Sequence, residues 1–272
     1  MKKLNSVLAI MVIITIIASA FTGCSEEKKA AIANYESECA RINSEYEILQ
    51  QTISDSQAII DTGEKPYDEN TIPALETEIA NAKAAIVEIP ERKGNAEEIN
   101  SLVNNELKKI TYADVNERLN NAKTNLENSI KIMKQITNPP ESFIIERIKD
   151  IDGITGYAGV TEDNDPNGNL NKPGGYTSTV FFAYDKVEDP HNVLDGTIID
   201  NGTEGGGSVE VYATEEDAVK REEYLASYDG SILATGSHKV VGTILVRTSN
   251  ELTASQQKEL ESKIVANLTE LR

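Results

Sequence analysis

The residue types that could do chemistry in this 272-residue chain are few and scattered. The sharpest spacing is Asp163-Asn-Asp165-Pro-Asn167-Gly168, with oxygen-bearing side chains at alternate positions and a glycine to turn the chain. A calcium ion asks for such a pattern, because hard carboxylate and amide oxygens must converge from a tight loop. Asp163, Asp165 and Asn167 are the candidate ligands, and Asn169 could add its backbone carbonyl. The twelfth position of an EF-hand template is Gly174, so the bidentate glutamate is missing. Asp and Asn are also the commonest turn formers. The segment is therefore either a calcium loop or a polar connection between strands, and calcium is the one cofactor the sequence raises.

Other chemistry is thinner. The two histidines are His191, in Asp189-Pro190-His191-Asn192, and His238, beside Ser237. Hydrolysis needs a nucleophile, a base and an orienting group within hydrogen-bond reach. Ser237 and His238 are neighbours entering a strand and point to opposite faces. Two lone histidines and no free cysteine pair make a poor zinc site. Gly202–Gly207 is glycine-rich, but it lacks the lysine and the strand-to-helix setting of a phosphate loop, so it reads as a flexible or close-packed turn. No catalytic residues are assigned, and the chain is not expected to be an enzyme.

Cys24 carries a different chemistry. Met1-Lys2-Lys3 is a short basic start, and Val7–Ala20 is apolar apart from Thr15 and Ser19. That run has the length of a signal-peptide core and is short for a membrane span. Thr22-Gly23-Cys24 follows and resembles the bacterial lipobox, with Phe21 where Leu, Val or Ile is usual. The resemblance implies cleavage before Cys24 and a diacylglycerol on its thiol. Lipid chains contribute about 0.8 kcal/mol per buried CH₂, enough for two chains to hold a domain at a bilayer surface. The other readings are a plain signal peptide and an uncleaved N-terminal anchor. The net charge of −19 disfavours nucleic acid and anionic lipid headgroups as partners, and favours cationic ones. With Cys24 lipidated, Cys39 has no partner, so no disulfide framework is expected and Cys39 reads as a small buried hydrophobe.

The elements that must position these residues fall into two halves. Ile32, Tyr35, Cys39, Ile42, Tyr46, Leu49, Ile53 and Ile60 recur at alternating steps of three and four, with Ser56 at a skipped position. This heptad seam predicts a helix over 27–61, broken by Gly63 and Pro66. Ile72, Leu75, Ile79, Ala82, Ile86 and Ile89 form a second seam, stopped by Pro90. Shorter helices are predicted over 96–110 and from Thr111 to Ile136, the last interrupted by Ser129. Residues 24–137 should form an antiparallel helical hairpin or bundle, acting as a stalk, as an ordinary core, or as an intermolecular coiled coil.

Residues 138–272 predict an α+β domain in the order α-β-β-β-α-β-α, loosely ferredoxin-like. A short helix capped by Asn138 comes first. Strands follow over 153–162, 176–184, 208–213 and 240–248, the last the most apolar and central. Thr214 caps a helix over 215–228, and Thr253 with Gln256 boxes the C-terminal one. Helices on one face would leave the other sheet face open as a binding surface.

Val160-Thr-Glu-Asp-Asn-Asp-Pro-Asn-Gly168, Asn171-Lys-Pro-Gly-Gly-Tyr176, Gly205-Gly-Gly-Ser-Val-Glu-Val-Tyr212, Gly236-Ser-His-Lys-Val-Val-Gly242 and Leu252-Thr-Ala-Ser-Gln-Gln-Lys-Glu259 resemble segments of a family of surface lipoproteins from Gram-positive bacteria. The resemblance covers 136–272 and, more loosely, the helical half. It implies a location and an architecture but no activity. The expectation is a lipid-anchored extracytoplasmic protein whose helical segment presents an α+β domain to a protein or cell-wall partner. The alternative is an envelope enzyme or enzyme regulator working on the open sheet face, through groups such as His191 or His238 with Asp185 or Glu210.

Overall fold

A computed structural model describes residues 25–188, 194–231 and 235–272. The expectations at Cys24 and His191 lie outside the described residues. The chain divides into two compact units. Of the described residues, the first unit holds those up to Gly63 and Asn70–Asn125, and the second holds Glu64–Glu69 and Leu126–Arg272.

In the first unit, α1 (Glu26–Asp61) packs on α2 (Thr71–Ala84) and α3 (Ala96–Asn105). Ser25 caps α1 by accepting from the Lys28 amide, and Glu26 and Glu27 favour its positive end. The predicted seam is the buried stripe: Ile32, Cys39, Ile42, Leu49 and Ile53 all face inward. Ser56 is buried at the skipped position and satisfies its hydroxyl on the Thr52 carbonyl at 2.7 Å. Cys39 is a free, buried thiol, and burial pushes its pKa up. Arg41 donates to the Leu107 and Ile110 carbonyls, while Glu45 accepts from Thr111 and the Tyr112 amide, so α1 fastens the connection after α3. The second seam was predicted to run helical through Ile89, but α2 ends at Ala84. Beta-branched Ile86 and Val87 and the approach to Pro90 favour extended chain there. Leu107–Lys109 is a 3-10 turn and not a continuation of α3.

The long helix α4 (Ala113–Gln135) leads into the second unit. Ser129, the break in its apolar stripe, has a structural use: its hydroxyl accepts from the Asp68 amide and its carbonyl from the Tyr67 amide.

The second unit continues with α5 (Glu141–Ile148), β1 (Ile154–Gly159), β2 (Tyr176–Tyr184), α6 (Ile198–Asn201), β3 (Gly206–Tyr212), α7 (Glu215–Ala226), β4 (His238–Val241), β5 (Ile244–Thr248) and α8 (Ala254–Thr269). The five strands form one antiparallel sheet in the order β1-β2-β3-β5-β4. The α+β class stands, with two corrections of detail. The stretch Val240–Thr248 is a hairpin, not one strand, turning at Gly242-Thr243 with Gly242 at φ +62°. The sheet also has no open face over its centre, because β3 and β5 are buried along their whole length.

The period of two explains the layers. Val180, Phe182, Val209, Val211, Ile244 and Val246 point to one face and pack on α5, α8 and the end of α4. Leu245, Tyr212 and Tyr176 point to the other and meet Leu170 with Ala218 and Leu225 of α7. At about 1.5–3 kcal/mol for each fully buried aliphatic or aromatic side chain, the first core is the larger contribution to stability.

Candidate functional site

The second unit carries an open cleft of about 380 Å³. It is lined by Asn138, Pro139, Pro140 and Glu141, by Val160, Leu170 and Asn171, and by Thr177 and Ser178. Three separate stretches of chain build it.

The first wall is the link between α4 and α5. Asn138 was expected to cap α5, but Pro140 holds that position and Asn138 has a left-handed backbone at φ +45°. It lies just beyond the end of α4, in the turn toward α5. Its amide donates to the Thr243 hydroxyl at 2.6 Å, and its side-chain oxygen accepts from the Thr177 hydroxyl at 2.8 Å. Glu141 opens α5, and its carboxylate lies directly over Gly159 of β1, where any Cβ would collide with it. Among the described residues no donor or cation engages that carboxylate. Pro139 and Pro140 remove two backbone donors from the same wall.

The second wall is the loop that carries the calcium pattern. Asp165 gathers this loop around itself. It accepts from the amides of Asn167 (3.0 Å), Asn169 (2.6 Å) and Leu170 (2.7 Å), and from the Tyr176 hydroxyl. Burial opposes ionisation of Asp165, but these hydrogen bonds outweigh it and hold the carboxyl below the usual range. Burial and the Asp165 charge push Tyr176 well above the usual phenol range. The knot presents Leu170 and Asn171 to the cleft, and Asn171 sits at φ +58°. Gly175 is required here, since a Cβ would collide with the Asn169 carbonyl. Asp163 and Asn167 lie on the same loop, with the Asn167 side chain 3.4 Å from the Tyr176 hydroxyl. Among the described residues no three His, Cys, Asp or Glu side chains are placed to hold a metal ion.

The third wall is β2. The pairing of β2 with β3 slips between Tyr176 and Ser178, an irregularity at which Thr177 and Ser178 line the cleft. Thr177 is bonded to Asn138 and the Val211 carbonyl, whereas the buried Ser178 hydroxyl has no partner. Among the described residues, the two non-glycine residues with left-handed backbone both line this one cleft. Such positions cost free energy and gather where geometry is needed.

The remaining sequence candidates lie elsewhere. Ser237 bonds Thr248 at 2.8 Å, and His238 sits between Glu222 (3.1 Å) and Asp229 (3.3 Å), so the two neighbours do not act on each other. Glu210 lies on the same sheet face as His238 but pairs with Arg247 at 2.7 Å and accepts from Tyr212 at 2.7 Å. Arg221 of α7 approaches it at 3.5 Å. This buried ion layer between sheet and α7 was not foreseen, because Glu210 reads as the solvent face of an alternating strand. Burial and the Glu210 charge push Tyr212 far above the usual phenol range. The Asp185 amide donates to the Gly153 carbonyl at 2.9 Å. The glycine run takes its close-packed alternative: a Cβ on Gly206 would meet the Tyr184 amide at 2.7 Å, and one on Gly207 would strike the Phe182 ring.

No family model, curated protein or solved structure matches this chain. The functional reading therefore rests on the residues themselves.

Proposed function

We propose that this is a lipid-anchored extracytoplasmic lipoprotein, held by Cys24 on the outer side of the cell membrane, whose α+β unit binds a cell-wall or protein partner through the cleft at the α4–α5 junction. Binding, not catalysis, is the role. The observation that carries the reading is the pairing, in one preformed cleft, of two unengaged polar groups, the Glu141 carboxylate and the Ser178 hydroxyl. A buried polar group without a partner costs roughly 1–3 kcal/mol, which a ligand can recover. Clefts of this size with few convergent polar groups are typical ligand sites. Among the described residues no helix is long and apolar enough to cross a membrane; the anchor in this reading is the lipid on Cys24, and its support is the lipobox-like Thr22-Gly23-Cys24.

Two measurements test it. Cells fed an alkyne-bearing fatty acid should label the protein and retain it in the membrane fraction, and Cys24→Ala should lose both. Purified protein should bind envelopes from cells lacking it. The Glu141→Gln, Ser178→Ala double variant should bind roughly tenfold more weakly, the scale of one or two polar contacts. Equal binding by the double variant would remove the cleft from the reading.

A further inference from the structure

We infer that the cleft recognises a protonated primary amine carried on a short polar or aliphatic body. This rests on the cleft being the binding surface, and it names the ligand's chemistry. The cleft holds a single full charge, the Glu141 carboxylate, and none of the residues lining it is cationic. In a chain of net charge −19, an anionic ligand would meet repulsion without a compensating donor. The complementary group is therefore a cation.

A metal ion does not suit the site. Hard divalent cations take six or more oxygen ligands, usually several of them carboxylates, and here Glu141 is the one carboxylate among the lining residues. An ammonium needs fewer partners: one carboxylate and one or two neutral acceptors satisfy its three N–H groups. Glu141 supplies the first, and the Ser178 hydroxyl, buried at the cleft wall without a partner, supplies a neutral acceptor once it turns toward the ligand. That hydroxyl also keeps its proton for a carbonyl or hydroxyl of the ligand. The Asn138 and Thr177 side chains are already bonded to each other, so they shape the cleft more than they claim the cation. Pro139, Pro140, Val160 and Leu170 provide apolar walls for a carbon skeleton. The absence of a Cβ at Gly159 lets the carboxylate lie against the strand and keeps the space above it open.

An amino sugar and a lysine-type side chain both offer this chemistry, and the test separates them. The full mature chain, starting at Cys24→Ser to avoid lipid, is titrated with glucosamine and with Nα-acetyl-lysine methylamide. The N-acetylated counterpart of each amine serves as the uncharged control. Binding is followed by calorimetry and by amide NMR shifts of Leu170, Asn171 and Ser178. One of the two amines should bind saturably with one-to-one stoichiometry and shift these amides. Acetylation, or Glu141→Gln, should weaken it roughly tenfold or more, as expected for loss of one charge-assisted hydrogen bond. Glu223→Gln removes the same charge from an exposed position on α7 and should leave the affinity unchanged.

Equal weakening by Glu141→Gln and Glu223→Gln would reduce the effect to diffuse attraction and overturn the inference. So would equal binding of the free and acetylated forms, although the cleft would then survive as a binding site. If neither amine shifts the cleft amides while envelope binding still depends on Glu141 and Ser178, the ligand class is wrong and the binding reading stands. If envelope binding is also indifferent to them, both fall.

Discussion

At the scale of single residues, Asp165 and the Glu210–Arg247 pair serve the architecture, whereas among the described residues nothing engages the Glu141 carboxylate. Asp165 is tied by three amides and a phenol, so a cation at this carboxylate would have to displace existing hydrogen bonds. Millimolar calcium is accordingly expected to leave the melting temperature unchanged, and a saturable rise would restore the calcium reading of Asp163, Asp165 and Asn167. The carboxyl of Asp165 is held below its ordinary value of 3.8. Its contribution to loop order is therefore complete above that value and is lost as the pH falls through the depressed one. Amide exchange at Asn169 and Leu170, corrected for intrinsic rates, should lose protection below about pH 4, and Asp165→Asn should lose it already at neutral pH. The Glu210–Arg247 pair behaves differently, being almost wholly buried. Removing one partner with Arg247→Met should cost about 3–5 kcal/mol in chemical denaturation, because it leaves Glu210 charged and buried. The joint change Glu210→Leu, Arg247→Met should recover most of that loss, and its failure to do so would show that the pair contributes more than mutual neutralisation.

At the scale of elements, the helices were the most legible part of the sequence. The alternating steps of three and four from Ile32 to Ile53 are the buried face of α1, and Thr253 with Gln256 forms the capping box of α8 as read. Strands were legible as apolar stretches, but their ends were not. Val240–Thr248 reads as one strand because its apolar residues run on through Gly242-Thr243, and nothing local announces the left-handed turn. What fixes that turn is distant: the Thr243 amide donates to the Ile136 carbonyl at the end of α4. A Cβ on Gly242 would approach the same carbonyl at 2.6 Å. Gly242→Ala should therefore destabilise the protein by about 1–3 kcal/mol through strain at positive φ and the clash together. An unchanged denaturation midpoint would mean that the α4–hairpin stitch is dispensable. The second sheet face was misjudged for a related reason. Glu210 and Arg247 look like solvent-facing residues of alternating strands, and only the long-range pairing of β3 with β5, with α7 above, reveals that they neutralise each other.

At the scale of the whole molecule, the cleft escaped the sequence because its walls come from 138–141, 160–171 and 177–178, and its one charge is a single glutamate among 45 acidic residues. No spacing marks Glu141, and the signal lies in what fails to surround it. Of the two asparagines with left-handed backbone, Asn138 reads as a helix cap and Asn171 as part of a turn. The proposed location at the membrane, by contrast, rests on the sequence alone, at Cys24. The central claim is that the α+β unit meets its partner through this cleft. The most direct measurement is site-specific photo-crosslinking on intact cells, with the probe at Asn171 on the cleft and, in a parallel strain, at exposed Val219 on α7. The account expects a discrete adduct, either one protein or wall glycan, from Asn171, with reduced yield in the Glu141→Gln background and none above background from Val219. Equal yields from both positions, or a yield from Asn171 indifferent to Glu141, would contradict it.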